Sequence, residues 1–416
     1  MYQGSEFASL QLRTSRILLC HNTGRKMSYH AKEDYIMDFL LSGLLSITWQ
    51  QWVMYGVGII LIYLAIAKEM EPSLLLPMGL GAILVNIPHT GVLGENGIIE
   101  WLFQTGIEAS EALPILLFIG IGAMIDFGPL LSNPKMFLFG AAAQFGIFAA
   151  ITIAVLLGFD LKDAASIGVI GAADGPTAIL VSNIMDSAYM GPIAVAAYSY
   201  MALVPIVQPA AIKLVTTKKE RMIRMEYNPK SVTKTTRILF PVIVTFIAGI
   251  IAPDSVALVG FLMFGNLIRE CGVLNSLSDT AQNVLPNLIT ILLGITISFK
   301  MTADDFVNLQ TIMIMALGLV AFVFDTIGGV LFAKLLNLFL KPGKKINPMV
   351  GAAGISAFPM SARVVQKMGL KEDPSNHLLM HAISANVSGQ IGSVVAGGVI
   401  IKVVSDILAR MAAAGL

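Results

Sequence analysis

Runs of about 20 apolar residues recur along this chain from Trp52 to Val404, and each is long enough to cross a bilayer as a helix. Of the 416 residues, 56% are apolar and only 13% are charged, whereas a soluble domain carries about 25% charged residues. Because backbone groups in lipid must be paired within the chain, the pattern predicts an all-α polytopic membrane protein.

We expect about ten membrane-embedded segments, several of them interrupted by Gly or Pro as broken helices or re-entrant hairpins. The expected spans and part-spans lie near residues 51–67, 73–86, 110–126, 136–158, 164–184, 189–214, 236–253, 256–270, 284–300, 310–338, 348–368 and 378–404.

The first residues differ in character from the rest. Residues 1–35 are mixed and polar, and we interpret them as a non-conserved or artificial N-terminal extension, with Met27 as an alternative natural start. A helix at 37–48 is expected to lie at the membrane interface. Residues 36–408 then form a single membrane domain.

Two parts of this domain, about 110–214 and 284–404, read as repeats of each other. Leu113–Phe127 aligns with Leu285–Phe299, and a Pro, a Gly and the final Phe coincide at one constant offset. A long apolar stretch follows each copy, and then a Gly-Ala-Ala sequence opens a Gly/Pro-broken segment, at Gly171 and at Gly351. Two broken segments at matching positions predict the binding site of an inverted-repeat transporter.

The distribution of charge predicts the orientation in the membrane. Residues 213–237 contain eight Lys or Arg and two acids, which places this loop in the cytoplasm. A nucleic-acid or lipid-binding patch is the less favoured alternative, and we expect no nucleic-acid partner. If the repeats are inverted, the basic loop with Lys341, Lys344 and Lys345 is also cytoplasmic, and the matching loop with Asp160 is external.

The segment Gly171–Ile179 places a carboxylate, a Gly-Pro pair and a hydroxyl within an apolar stretch. An ionisable residue at membrane depth is costly and usually serves an ion or a substrate. Pro176 suits the first turn of a new helix, so Asp174 would stand at the N-terminal end of a half-helix. Its carboxylate favours a hard cation as ligand. The alternative is a carboxylate that only caps the helix.

Two further polar segments are candidates for the same site. Residues 346–363 include neutral oxygens at Asn347, Ser356 and Ser361, and Arg363 could hold an anionic group or extend to the interface. Residues 385–393 carry polar groups that serve either an ion or helix packing: Asn386, Ser388, Gln390 and Ser393.

Two more polar residues lie within apolar spans. Tyr200 could donate a proton or bind an ion, or simply have its hydroxyl paired, and Asp325 could face a cavity or pair within the bundle. There is no Walker A loop, no dinucleotide fingerprint and no His/Cys cluster spaced for a transition metal. The sequence therefore offers no site for a nucleotide as energy source.

Taken together, three motifs resemble a known family, the β subunits of the sodium-pumping, biotin-dependent decarboxylases. These motifs are Gly171–Thr177, Ile346–Arg363, and Asn386–Gly389 with Ile391–Ser393, and the resemblance runs from about Trp52 to Lys402. The family acts on oxaloacetate, methylmalonyl-CoA, glutaconyl-CoA or malonate. In it, a carboxyltransferase loads biotin on a carrier protein, and the β subunit decarboxylates carboxybiotin and exports sodium across the bacterial cytoplasmic (inner) membrane.

The resemblance also implies roles for individual residues. Catalytic roles fall on Asp174, Tyr200 and Arg363, with Arg363 also binding carboxybiotin. Sodium-binding roles fall on Asp174, Asn347, Gly351, Ser356 and Asn386, and the ion itself lies at Asp174 and Asn386. Biotin arrives on a partner, because this chain lacks the biotinylated Met-Lys-Met motif.

The implied partners are a carboxyltransferase subunit, a biotin carrier protein and a small single-span anchor subunit, with the β subunits assembled as a homotrimer in membrane lipid. The competing interpretation is a sodium-coupled secondary carboxylate transporter without chemistry, which explains the repeat and the broken helices equally well.

Overall fold

The computed structural model describes residues 46–414 except 70, 95–96, 110, 227–231 and 342. Within these residues the chain is helical and contains no β-strand, which confirms the predicted all-α membrane fold. The expected interfacial helix at 37–48 lies outside the described residues, apart from 46–48.

The α-helices of the first part of the chain are α1 (Trp49–Ala67), α2 (Pro72–Val85), α3 (Ile98–Phe103), α4 (Ala112–Met124), α5 (Gly128–Ser132), α6 (Phe137–Ala143), α7 (Phe145–Leu156), α8 (Leu161–Val169), α9 (Gly175–Ile184) and α10 (Met190–Val215). Those of the second part are α11 (Lys218–Arg221), α12 (Lys234–Ile251), α13 (Val256–Cys271), α14 (Asn275–Asn283), α15 (Leu285–Ile297), α16 (Ala303–Phe306), α17 (Leu309–Phe339), α18 (Pro348–Ala352), α19 (Met360–Glu372) and α20 (Leu379–Ala413).

Six helical stretches among the described residues are long and apolar enough to cross a membrane: Trp49–Ala67, Pro134–Leu156, Lys234–Ile251, Asn275–Lys300, Leu309–Phe339 and Leu379–Ala413. Two bent pairs raise this number to eight if each is one span. One joins Ile98–Glu108 to α4 at 65°, and the other bends α10 by 72° between Met201 and Leu203. The expected number of about ten membrane-embedded segments stays a prediction.

The bend in α10 has a local cause. Pro205 lies inside the helix and cannot donate a backbone hydrogen bond, and its ring conflicts with the carbonyl of the residue four positions earlier, Met201. The helix therefore changes direction where the sequence places this proline.

Two helical hairpins each pack against a helix from a distant part of the chain. The first hairpin, α1 and α2, packs against α15, and Gly294 of α15 lies against the backbone of Leu74. The second hairpin, α12 and α13, packs through α13 against α4, where Gly122 meets the backbone of Leu262. Each hairpin thus packs on the leading helix of the part of the chain that the other hairpin precedes, which ties the two parts into one body.

Helix α17 runs beside both broken segments. Gly171 lies against Ala321 and Asp325 of α17, and Gly329 of α17 lies directly against the backbone of Gly351. Such close approach is open only to small residues. The helix therefore fixes both breaks to one common support.

The basic loop after α10 is tied to the second part of the chain at one end of the molecule. Arg221 pairs with Glu372 at 2.7 Å, and Lys334 pairs with Glu220 at 3.1 Å. Arg224 donates to Asp373 at 2.6 Å, and this hydrogen bond holds the pKa of the Asp373 carboxyl below its ordinary value. Asp373 therefore stays charged, and this ion pair stays formed, at neutral pH.

Candidate ion site at the crossing of two broken segments

The first broken segment reverses direction just before Asp174. Helix α8 passes into a 3₁₀ turn at Ile170–Ala172, and Ala173 adopts a left-handed conformation with φ of +52°. A non-glycine residue in this conformation is strained, and such residues concentrate at functional sites. Asp174 is then the N-cap of α9, and Pro176 occupies the first turn, as predicted from the Gly-Pro pair.

The second broken segment crosses the first. Helix α18 ends at Ala352, and α19 begins at Met360. In the stretch of turns between them, the backbone N–H of Ser356 donates to the carbonyl oxygen of Ala172 at 3.0 Å. A carbonyl freed by one break is thus paired with an amide freed by the other, so each break satisfies backbone groups that lipid cannot.

Three hydroxyl groups converge on one oxygen of the Asp174 carboxylate. Thr177, Ser356 and Ser393 donate to its Oδ2 at 2.8, 3.2 and 2.7 Å. They come from α9, from the second broken segment and from α20. Asp174 is only 3% exposed, and the three donors are buried. Within the part of the chain that the structure describes, no cationic side chain pairs with this carboxylate, and neutral donors hold it in the interior.

Helix α20 contributes a polar face to the same place. Asn386, Gln390 and Ser393 are spaced at i, i+4 and i+7, so they lie on one side of the helix. Asn386 donates from Nδ2 to the carbonyl of Ile355 at 2.7 Å, and Gln390 donates to the carbonyl of Ser356. We call Asp174, Thr177, Ser356, Asn386, Gln390 and Ser393 the Asp174 cluster.

The Asp174 cluster contains buried oxygen atoms that lack a hydrogen-bond donor among the described residues. Asn386 Oδ1 and Gln390 Oε1 accept no hydrogen bond from the described part of the chain. A buried acceptor left unpaired costs about 1–3 kcal/mol, so each such atom needs an explanation. Carboxylate, amide and hydroxyl oxygens are the ligands of hard cations, and the residues present therefore fit a sodium ion.

The helix-capping alternative accounts for only part of this geometry. Asp174 Oδ1 accepts from the backbone N–H of Thr177 at 3.4 Å, which is a long capping bond. A cap has no need of two further hydroxyls from distant segments of the chain at Oδ2. Asp174 therefore acts as a cap and also as the centre of the cluster.

The structure places two of the predicted sodium-binding residues apart from the Asp174 cluster. Asn347 is the N-cap of α18, and its Nδ2 donates to the carbonyls of Arg221 and Ile223, each at 2.8 Å. Gly351 packs against Gly329 of α17. Both residues serve the attachment of α18 to its neighbours in this structure.

The other two predicted catalytic residues also point elsewhere. The hydroxyl of Tyr200 donates to the carbonyl of Met315 on α17. Arg363 lies on α19 with an exposed side chain, which takes part in none of the hydrogen bonds that hold the Asp174 cluster. Of the predicted site residues, the structure thus brings together Asp174, Ser356 and Asn386.

Asp325 is a second fully buried carboxylate. Its Oδ1 accepts from the backbone N–H of Ile147, where α7 begins, and its Oδ2 accepts no hydrogen bond among the described residues. Gly171 lies beside this oxygen. Asp325 therefore pairs within the bundle and borders the first broken segment, which the sequence alone could not decide.

Sequence reasoning missed one residue beside the Asp174 cluster. The ring of Tyr198 covers Gly175, the residue that follows Asp174. The sequence contains one signal for Tyr198, the Tyr-Ser-Tyr triplet, in which the resemblance implies a role for Tyr200 alone. Ser388, by contrast, donates to the carbonyl of Met136 at 2.9 Å and serves helix packing.

Broken helices that meet at a buried carboxylate, inside an all-α membrane domain, are typical of ion-transporting membrane proteins. Comparison with known families identifies the particular family of ion-transporting proteins. The chain belongs to the family of Na⁺-transporting oxaloacetate decarboxylase beta subunits, whose model matches residues 50–404. This confirms the resemblance inferred from the three motifs, and with it a subunit of an enzyme that couples decarboxylation to sodium transport.

Individual relatives cover almost the same length. The chain is 49% identical over 363 residues to the glutaconyl-CoA decarboxylase subunit beta of Acidaminococcus fermentans, covering 87% of this chain and 96% of the relative. It is 49% identical to the methylmalonyl-CoA decarboxylase subunit beta of Veillonella parvula, covering 88% and 96%. It is 44% identical to a probable oxaloacetate decarboxylase beta chain of Vibrio cholerae, covering 89% and 98%.

Proposed function

We propose that this chain decarboxylates carboxybiotin delivered by a biotin carrier protein and couples the reaction to sodium export across the bacterial cytoplasmic membrane, with consumption of a proton. The observation that carries the proposal is the convergence of three hydroxyls from three segments on Asp174 Oδ2, where the two broken segments cross. One carboxylate at such a crossing is in contact with both broken segments and with α20.

The proposed sodium site is centred on Asp174 and Asn386, with Ser356 between them. Asn386 Oδ1 is a buried acceptor that receives no hydrogen bond from the described residues, and Asn386 lies on the face of α20 that also carries Ser393. Asn347 and Gly351 also enter the proposal as sodium-binding residues. Helix α18 leads from the basic loop with Lys341, Lys344 and Lys345 to the second break. We therefore assign Asn347 and Gly351 to the path by which the ion reaches Asp174.

The proposed chemistry needs an anion-binding group and a proton donor. Carboxybiotin is a carbamate, and loss of carbon dioxide from it leaves a nitrogen anion that must be protonated. Arg363 is proposed to hold the carboxylate or the ureido oxygen, since a guanidinium suits planar oxygen groups. Tyr200, or a proton passed through Asp174, is proposed to protonate the nitrogen. For Tyr200 this requires that its hydroxyl leave the carbonyl of Met315.

Coupling is proposed to arise from movement of one repeat half, about 110–214, against the other, about 284–404, within a single membrane domain of residues 36–408. The α1–α2 hairpin packs on α15 and the α12–α13 hairpin packs on α4, and this reciprocal packing supports a division into two equivalent halves. Sodium must bind differently in the two resulting states, because an ion with equal affinity for both would shift nothing.

The proposed partners follow from the reaction. A carboxyltransferase subunit loads biotin on the carrier protein, a small single-span subunit anchors the complex, and β subunits form a homotrimer in the lipid. This chain contains no Met-Lys-Met sequence, which supports delivery of biotin by another chain.

The proposal is tested by Asp174→Asn in the reconstituted complex. We expect loss of both ²²Na⁺ transport and decarboxylation, because the amide keeps the size of the side chain and removes the charge that both processes need. Asp160→Asn, which removes an exposed carboxylate in a loop, is the matched control and should retain both. Decarboxylation at the full rate in Asp174→Asn would refute the coupling role.

The transporter alternative makes a different prediction for the purified complex. Supplied with carboxybiotin and sodium, the proposed enzyme releases carbon dioxide, and a secondary carboxylate transporter releases none. The family assignment favours the enzyme.

A further inference from the structure

Tyr198 on α10 presents a buried hydroxyl without a hydrogen-bond partner. The residue is 4% exposed, and its Oη makes no hydrogen bond within the described part of the chain. A buried Tyr hydroxyl is normally paired. An unpaired one in a membrane domain is costly, so its position needs a physical explanation.

The hydroxyl end of the ring lies at the N-terminal end of the half-helix α9. A methyl group added to Gly175 would overlap the ring at Cζ and Cε1 and come within 2.6 Å of Cε2. Only glycine therefore fits beneath the ring at this position. Because Gly175 directly follows Asp174, the phenol is within electrostatic range of the Asp174 carboxylate.

The two tyrosines of α10 have different surroundings, and the phenol of Tyr198 is also within electrostatic range of the Glu71 carboxylate at the start of α2. Residues two positions apart on a helix point about 200° apart, so Tyr198 and Tyr200 face nearly opposite directions. Tyr200 faces α17, where its hydroxyl is paired with Met315. Tyr198 instead packs in an apolar cluster with residues of α2 such as Leu75 and Met78.

We propose that Tyr198 is a further ligand of the sodium site, with its Oη coordinating the ion held by Asp174. The inference rests on the proposed function and adds a residue from the α1–α2–α15 side of the molecule. Tyr198 Oη resembles Asn386 Oδ1 and Gln390 Oε1 of the Asp174 cluster, because each is a buried oxygen without a hydrogen-bond partner among the described residues. A cation held at Asp174 would give Tyr198 Oη the partner that no group of the described chain provides.

Tyr198→Phe tests this assignment, because it removes only the oxygen and keeps the ring over Gly175. We expect the sodium concentration for half-maximal decarboxylation by the reconstituted complex to rise about tenfold, equivalent to about 1.4 kcal/mol, with little change in the rate at saturating sodium. Sodium-dependent thermal stabilisation of the purified subunit should shift to higher sodium concentration by the same factor. Tyr189→Phe, near the start of the same helix with its ring against Phe159, is the matched control.

Three outcomes decide between the alternatives. If Tyr198→Phe has the sodium dependence of the wild type, or binds sodium more tightly, Tyr198 is not a ligand. If it lowers thermal stability equally with and without sodium, the hydroxyl has a structural role only, and the inference is again refuted. If the wild type itself shows no sodium dependence, the proposed function fails, which is distinguishable from failure at Tyr198 alone.

Discussion

At the scale of single residues, the site depends on the few hydroxyl groups that meet at Asp174 Oδ2, of which that of Ser393 is the nearest at 2.7 Å. Asp174, Ser356 and Asn386 stood out as polar groups in apolar stretches, and the structure brings them together. The sequence could not predict which tyrosine of Tyr-Ser-Tyr faces the site, because the answer depends on how α10 is rotated against α9 and α17. Nor could it show that Asn347 is already satisfied by two backbone carbonyls.

The shortest hydrogen bond to Asp174 gives a prediction at this scale. Ser393→Ala removes the donor at 2.7 Å from Oδ2. A hydrogen bond to a charged group contributes about 1.5–3 kcal/mol, and the charged carboxylate is the form that binds sodium. We therefore expect the sodium concentration for half-maximal activity to rise by about 10- to 100-fold.

The control is Ser384→Ala, which removes a buried serine on the same helix that donates to the carbonyl of Met380 instead. Its sodium dependence should equal that of the wild type in ²²Na⁺ uptake by proteoliposomes. Equal effects of the two substitutions would mean that Ser393 matters for packing alone.

At the scale of helices, the breaks were predictable and their support was not. Gly and Pro residues marked where both segments stop and restart. That α17 holds both of them depends on close contacts between glycines far apart in sequence, such as Gly329 and Gly351. A single sequence gives no sign of which glycines meet.

Gly329→Ala tests this support. The added methyl would overlap the carbonyl oxygen of Gly351 and lie 2.7 Å from the carbonyl carbon. All the atoms that it meets belong to the backbone, which cannot rotate away as a side chain can. Overpacking of this kind costs about 1–3 kcal/mol, so we expect a lower free energy of unfolding, measured by thermal denaturation in detergent. Gly56→Ala is the control, since nothing lies within 4 Å of a methyl there. Unchanged stability of Gly329→Ala would contradict a rigid contact between α17 and α18.

At the scale of the whole molecule, the contacts place the two basic loops at the same end. Asn347, just after Lys345, binds the carbonyls of Arg221 and Ile223 in the first basic loop. Asp163 instead accepts from Ser187, before the opposite end of α10. From charge alone, the sequence predicts that both basic loops are cytoplasmic, because loop charge follows membrane orientation whatever the packing between helices.

Labelling of single cysteines tests the orientation. With Cys20 and Cys271 replaced by Ser, we compare Lys345→Cys and Asp160→Cys, both at exposed positions. An impermeant maleimide added to intact cells should label position 160 and leave position 345 unmodified, and inverted vesicles should give the reverse. Labelling of position 345 from outside would refute the predicted orientation, and labelling of both positions from the same side would refute the inverted repeat.

The hydrogen bond from Ser356 to Ala172 has a consequence for the membrane as a barrier. In the conformation described here the two breaks are joined by this bond and Asp174 is only 3% exposed, so the carboxylate is not open to water on both sides of the membrane at once. A pump that opened both sides at once would dissipate the voltage it had built. Parting the two breaks thus has to remain tied to turnover, and this backbone hydrogen bond is one of the contacts that has to break.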